Sequence, residues 1–207
     1  MQREALLYNA DACVTFLRGH LPALSPHVLT EPELSARAAA VLVPLYAAQG
    51  EPYLLFTRRS KNLARHKGEI SFPGGSRDPN DSTLVMTALR EAREEIGLNP
   101  YGVEILGALS PVFVPVSNFL ITPQVGWIGE DLPPLVVNHA EVAELIQAPL
   151  AALANPAIYH TEVWSRFGSS HVVHFFEYGP YLIWGATARV LFSLLSLLPS
   201  AGTPSNP

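Results

Sequence analysis

The chain has 207 residues, 48% of them hydrophobic and 15% charged, with a formal net charge of -5. Length and composition point to a single globular domain with a substantial core and exclude a disordered chain. The negative balance argues against a general nucleic-acid binder, and the single cysteine, Cys13, excludes an intrachain disulfide framework and fits a reducing compartment.

In chain order, residues 1–20 read as an amphipathic helix. Glu4 and Asp11 interrupt its apolar positions, so it lacks the continuous hydrophobic region of a secretory signal. Cys13 lies in this apolar stretch with nothing nearby to lower its pKa, which argues against a nucleophile. Residues 21–33 are a Pro-rich connector. Residues 38–46 and 53–58 are β-prone runs joined by a hairpin or sheet connection around Gly50, and Pro44 predicts a break or an edge in the first. Residues 70–72 form a third short strand that enters a Pro73-Gly74-Gly75 turn. A helix begins near Asp81, Ser82 or Thr83, any of which could cap it, and stops at Gly97 as a left-handed C-cap. Strands follow at 103–109 and 119–128. The pattern of 141–147 leaves helix or strand open. A strand at 172–178 turns at Gly179-Pro180, and 186–198 closes the domain as an apolar-faced helix. The stretch 181–198 is the most apolar, but Gly185 and Arg189 make it a poor membrane span, so a soluble cytoplasmic protein is expected. His171 and His174, three apart in a strand, face opposite sides and make a poor metal pair. The interspersed elements give a mixed α/β or α+β class.

The chemistry concentrates at Arg90-Glu91-Ala92-Arg93-Glu94-Glu95-Ile96-Gly97-Leu98. At 100° per residue, Glu91, Glu94 and Glu95 fall within about 100° of arc, beside a separate stripe of Val85, Ala88, Leu89, Ala92 and Ile96. Glu91 and Glu95 repel at i,i+4 by roughly 0.2–0.5 kcal/mol, and all three acids sit near a helix C-terminus, where the macrodipole disfavours anions. A divalent cation reverses the sign of both effects. The plainer alternative is a solvated acidic face tempered by Arg90 and Arg93. Upstream, residues 68–75 (GEISFPGG) run a short strand into paired glycines, which let backbone carbonyls approach a ligand closely.

Paired glycines, a polar loop and then Arg-Glu-x-x-Glu-Glu-x-Gly resemble the Nudix hydrolase signature. Within that family, residues 55–75 (LFTRRSKNLARHKGEISFPGG) resemble the additional motif of the coenzyme A pyrophosphatase branch. The loop is one residue longer than the general pattern: the usual early acid falls on Ser82, with Asp81 one position before, and neither is assigned a role. The resemblance implies a Nudix-type α/β/α sandwich with a mixed β-sheet over residues 35–200. Residues 1–34 are then a helix and connector packed on that domain, 201–207 a flexible tail, and 141–147 a strand followed by a short helix at 149–153.

It also implies metal-dependent hydrolysis of coenzyme A to adenosine 3′,5′-bisphosphate and 4′-phosphopantetheine, with Mg²⁺ or Mn²⁺ as cofactor and no nucleic-acid or membrane partner. Glu91, Glu94 and Glu95 are the expected metal ligands, with the Gly75 carbonyl and Glu69 as further candidates. Arg90 can orient Glu94 at i,i+4. Either Arg58 or Arg59 can clamp phosphate, and Arg65, His66 and Lys67 complete the densest cationic cluster, where the 3′-phosphate would be read. The general base is sought among His139, Glu141 and Glu144. The alternatives are a broader pyrophosphatase of ADP-ribose and NADH, or a nucleotide-binding module without turnover.

Overall fold

A strand rich in Ala, Val and Leu has no polar face to offer water, and Arg37–Ala48 (β1) is such a strand, buried on both sides through its middle. In the computed structural model, which describes residues 2–21, 30, 33, 35–61, 67–166 and 169–199, β1 lies inside the main sheet. It pairs antiparallel with Glu51–Arg59 (β2) across a two-residue turn in which Gln49 and Gly50 both have positive φ, 54° and 80°. That geometry matches the strand twist of a tight hairpin. On its other edge β1 runs parallel to Phe119–Glu130 (β7), which also pairs with Glu104–Ala108 (β5) and Val112–Val114 (β6). Val142–Pro149 (β8) pairs with the far edge of β2.

The sheet forks at the site. Beyond the Leu45–Leu54 pair, β2 leaves β1, and residues 70–76 occupy the gap: Ile70–Ser71 (β3) pairs with β2, and Gly74–Ser76 (β4) pairs with β1. Of the expected Pro-Gly-Gly turn, Pro73 is a bend between β3 and β4, and the two glycines belong to β4. Its glycines are demanded by close approach, since a Cβ on Gly74 would stand 2.4 Å from the Ala40 carbonyl oxygen. The expected break at Pro44 is absent. The Leu42 N–H donates to the Pro73 carbonyl on the fork side, so Pro44, two residues on, faces the same gap, where no ladder bond is required of it.

Both faces of the sheet are covered, as the α/β/α sandwich requires. On one face Leu84–Ile96 (the helix α3) packs Ala88, Ala92 and Ile96 onto Ala40, Leu42, Tyr46 and Leu55. On the other, Val43, Leu45, Leu54 and Phe56 meet the helices Gln2–Tyr8 (α1), Ala10–His20 (α2), Leu150–Leu153 (α4) and Gly185–Leu197 (α5). The N-terminal segment is two helices instead of one, because the Asn9 side chain accepts the Ala12 N–H and starts α2 afresh. Cys13 is buried there, and burial pushes its thiol up to about 12, so it stays protonated.

A second antiparallel sheet of Tyr159–Arg166 (β9), Ser169–Tyr178 (β10) and Tyr181–Trp184 (β11) was not expected beyond its middle strand. Val163, Trp164, Val172 and Leu182 stand exposed on it, which blurs the alternation that marks strands in sequence. Among the described residues no helix is long and apolar enough to cross a membrane.

Candidate active site

Helix α3 is delimited by its own chemistry. The Thr83 side chain accepts the Met86 N–H at its start, and Gly97 ends it at φ 67°. A Cβ on Gly97 would meet the backbone of Val136 at 2.8 Å, because the segment 131–141 crosses the helix end. The Val136 and Asn138 N–H groups donate to the Ile96 and Glu95 carbonyls, at 3.1 and 2.9 Å. These bonds satisfy carbonyls that a helix terminus otherwise leaves open.

Arg90 is the hub of the acidic face. Its Nη1 donates to Glu91 Oε1 at 2.9 Å and to Glu94 Oε2 at 3.0 Å, as the i,i+4 spacing predicts. Its other donors reach the Ser76 carbonyl and both carboxylate oxygens of Asp81, the shortest at 3.0 Å. Asp81 is buried, and the hydrogen bonds from Arg90 hold its carboxyl at about 2. The sequence left Asp81 without a role, whereas the structure makes it the anchor of the arginine that grips Glu91 and Glu94. Ser82 is exposed, and its hydroxyl donates to Met86 Sδ.

Glu95 differs from its neighbours. Its side chain is 4% exposed, its Oε2 is buried without a hydrogen-bond partner, and Arg59 Nη1 lies 3.8 Å from its Oε1. Burial pushes its carboxyl up to about 7; Arg59 opposes that, and the charges of Glu91 and Glu141 add to it. The Glu91 carboxyl is raised as well, chiefly by burial, with Arg90 opposing and Glu94 and Glu141 adding. Gly75 lies against this group: a Cβ there would be 2.5 Å from the Glu91 carboxyl carbon, so any larger residue would displace that carboxylate.

The other candidates divide. Arg58 is paired with Glu144 at 2.9 Å, and the Tyr181 hydroxyl donates to the same carboxylate at 2.6 Å, so Glu144 is a tether between the two sheets. His139 is exposed on a turn. Glu141 faces Glu91 and Glu95, raising both, and accepts a hydrogen bond from Asn138 Nδ2 at 3.1 Å. Glu69 precedes β3, and its carbonyl accepts the Arg59 N–H at 2.9 Å. Lys67 is exposed nearby, while Arg65 and His66 lie outside the described residues. His171 and His174 do face opposite sides of β10, and His174 is buried against Tyr159 and Arg189. Sequence reasoning missed Asp81, Asn138 and Tyr181: Asp81 and Tyr181 lie 9 and 37 positions from their partners, and Asn138 stands three before Glu141 on a turn instead of a helix.

The NUDIX domain model matches residues 36–160, more than half of the chain. The chain belongs to the Nudix hydrolase family. It is 42% identical over 158 residues to a Photorhabdus laumondii protein named an uncharacterized Nudix hydrolase NudL, covering 76% of this chain and 83% of that one. A Shigella flexneri protein of the same name is 40% identical over 171 residues, 83% of this chain and 87% of its own. A crystal structure of a NUDIX hydrolase from Alicyclobacillus acidocaldarius aligns with a TM-score of 0.49 at 18% identity, over 78% of this chain and 92% of that chain.

Nudix hydrolases act on pyrophosphate bonds of small nucleoside diphosphate derivatives and generally use a divalent ion such as Mg²⁺ or Mn²⁺. The residues of this Nudix hydrolase fit such an ion. The donors are all oxygen, one buried carboxylate oxygen lacks any partner, and the Gly75 backbone touches the adjacent carboxylate. Among the described residues no three carboxylates already converge on one point, and Arg90 holds two of the three glutamates. Mg²⁺ needs only one or two carboxylates, its other positions going to water and substrate phosphate.

Proposed function

We propose that this Nudix hydrolase cleaves coenzyme A at its pyrophosphate to adenosine 3′,5′-bisphosphate and 4′-phosphopantetheine, with Mg²⁺ or Mn²⁺. The observation that carries the reaction class is the buried Glu95 carboxylate with an unpartnered oxygen, set beside Glu91 and Gly75. In this reading Glu91, Glu94, Glu95 and the Gly75 carbonyl hold the ion, with Glu69 as a further oxygen donor. When bound, the ion polarises phosphoryl oxygens and acidifies a water. Arg90, fixed by Asp81, orients Glu91 and Glu94. Arg59, whose Nε is buried without a partner, is the cation placed to meet a phosphate oxygen, whereas Arg58 is already engaged by Glu144. Glu141 takes the proton of the attacking water, since Glu144 is tethered and His139 is turned to solvent.

The choice of coenzyme A is supported by the resemblance of residues 55–75 to the motif of that branch. Purified protein tested against coenzyme A, dephospho-coenzyme A, ADP-ribose and NADH at matched Mg²⁺ and pH should show the highest kcat/KM for coenzyme A. Arg59→Ala should lower that value about ten- to hundred-fold, the loss of one charge-assisted contact. Faster hydrolysis of ADP-ribose overturns the branch and leaves the pyrophosphohydrolase. Metal binding without turnover of any of the four points to a binding module.

A further inference from the structure

We propose that Asn138 is a positioning residue, which fixes the Glu141 carboxylate against the last turn of α3 so that it faces Glu91 and Glu95. Its backbone N–H donates to the Glu95 carbonyl at 2.9 Å, a direct link to the residue whose side chain is most buried in the site. Its side chain works in both directions. Oδ1 accepts the Ala140 N–H at 3.2 Å, closing an Asx turn, and Nδ2 donates to Glu141 Oε1 at 3.1 Å. Its carbonyl accepts the N–H groups of Glu141 and Val142, at 3.0 and 2.9 Å. One residue therefore ties the helix that carries the acids, the turn and the fourth carboxylate into one piece.

The far side of Glu141 is fixed as well. Its carbonyl accepts the Ser60 N–H at 2.7 Å, and the next residue, Val142, pairs in register with Arg59, whose guanidinium is 3.8 Å from Glu95. Glu141 is thus pinned through its backbone to β2 and through its carboxylate to Asn138. The side chain at 138 must accept from Ala140 and donate to Glu141 at the same time. Aspartate lacks the donor and serine is too short to reach, so an asparagine meets both demands at this length. A carboxylate on a turn without that donor would rotate freely, and catalysis depends on its direction.

The inference rests on the proposed function for what Glu141 does, and only on the hydrogen bonds for what holds it. The test is a double-variant cycle of Asn138→Ser and Glu141→Gln. It is read by Mn²⁺ titration of the substrate-free protein and by the kcat and KM of coenzyme A hydrolysis with Mg²⁺. Both single variants should bind Mn²⁺ within about two-fold of wild type, since Glu141 is the base and not a ligand, whereas Asn138→Ser should lower kcat by at least about ten-fold with KM held. The double variant should be no worse than Glu141→Gln alone, since Asn138 acts through Glu141. Wild-type behaviour of Asn138→Ser, or losses that multiply in the double variant, overturns the inference. If near-UV circular dichroism shows Asn138→Ser unfolded, Asn138→Asp takes its place: it keeps the acceptor for Ala140, and its kcat loss should vanish in the Glu141→Gln background. A wild-type protein that binds no Mn²⁺ overturns the proposed function itself, whereas normal wild-type binding with an indifferent variant overturns only this inference.

Discussion

At the scale of single residues, Glu95 and Asp81 titrate in opposite senses. Glu95 is raised to about 7, so in the absence of metal the folded state binds its proton more tightly than the unfolded chain does. Its contribution to stability is complete below about 4.5 and is lost as pH rises through 7. Glu95→Gln should therefore make the metal-free protein more stable at pH 8, by on the order of 3 kcal/mol, while removing most turnover. Urea unfolding at pH 5 and pH 8, in chelator, checks the sign. Saturating Mg²⁺ at a hundred times its dissociation constant should stabilise the wild type by about 2.7 kcal/mol, and this gain should shrink in Glu95→Gln. Asp81 is held at about 2, so its contribution is present above 3.8 and lost as pH falls through 2. Asp81→Ala leaves Arg90 without its buried partner. It should cost roughly 1.5–3 kcal/mol, the loss of hydrogen bonds between charged groups, and lower kcat as well, because the arginine that holds Glu91 and Glu94 loses its anchor. Stability near that of wild type would remove Asp81 from the site.

Among the elements, the segment 131–141 meets the end of α3 through Val136 and Asn138, and the three-stranded sheet meets the main one at Glu144. Gly97→Ala would place a Cβ against Val136 in a left-handed backbone, straining the helix end and displacing the segment that carries Asn138 and Glu141. A stability loss of about 1–3 kcal/mol should accompany a fall in kcat larger than any change in KM. The three-stranded sheet is moored to the main one where the Tyr181 hydroxyl and Arg58 share Glu144. Tyr181→Phe removes the hydrogen bond to this charged group and should loosen the contact between the two sheets. Faster amide exchange in β11 than in β1 would report the loosened mooring.

For the molecule as a whole, the acid side of the stability curve has a further source in His174. The Arg189 guanidinium can only donate, so His174 Nε2 accepts it and Nδ1–H donates to the Tyr159 hydroxyl, which requires a neutral ring. Burial first, and Arg189 second, hold the imidazole below its usual 6.5. Its contribution is intact above 6.5 and declines as pH falls below it, so His174→Phe should flatten thermal stability between pH 6.5 and 5. The fold and site were legible in unequal parts. The helix with its cap at Gly97, the first hairpin and the acidic face could be read because they obey local periods. Asp81 could not, since it lies before the first turn of α3 and meets Arg90 nine positions on, a spacing that no helical period gives, nor could β9 and β11, whose exposed apolar residues blur alternation. Pro44 was read as a break or an edge in its strand, and its position in the fork makes it a local edge. Continuing the hairpin register, the next hydrogen-bonded pair after Tyr46 and Tyr53 would join Pro44 to Leu55, and proline has no N–H to give. The hairpin stops zipping there, and the unzipped length is the berth of residues 70–76, Gly74 and Gly75 included. Two strand partners compete for one edge of β1, and the hydrogen atom that Pro44 lacks decides the contest in favour of the glycines.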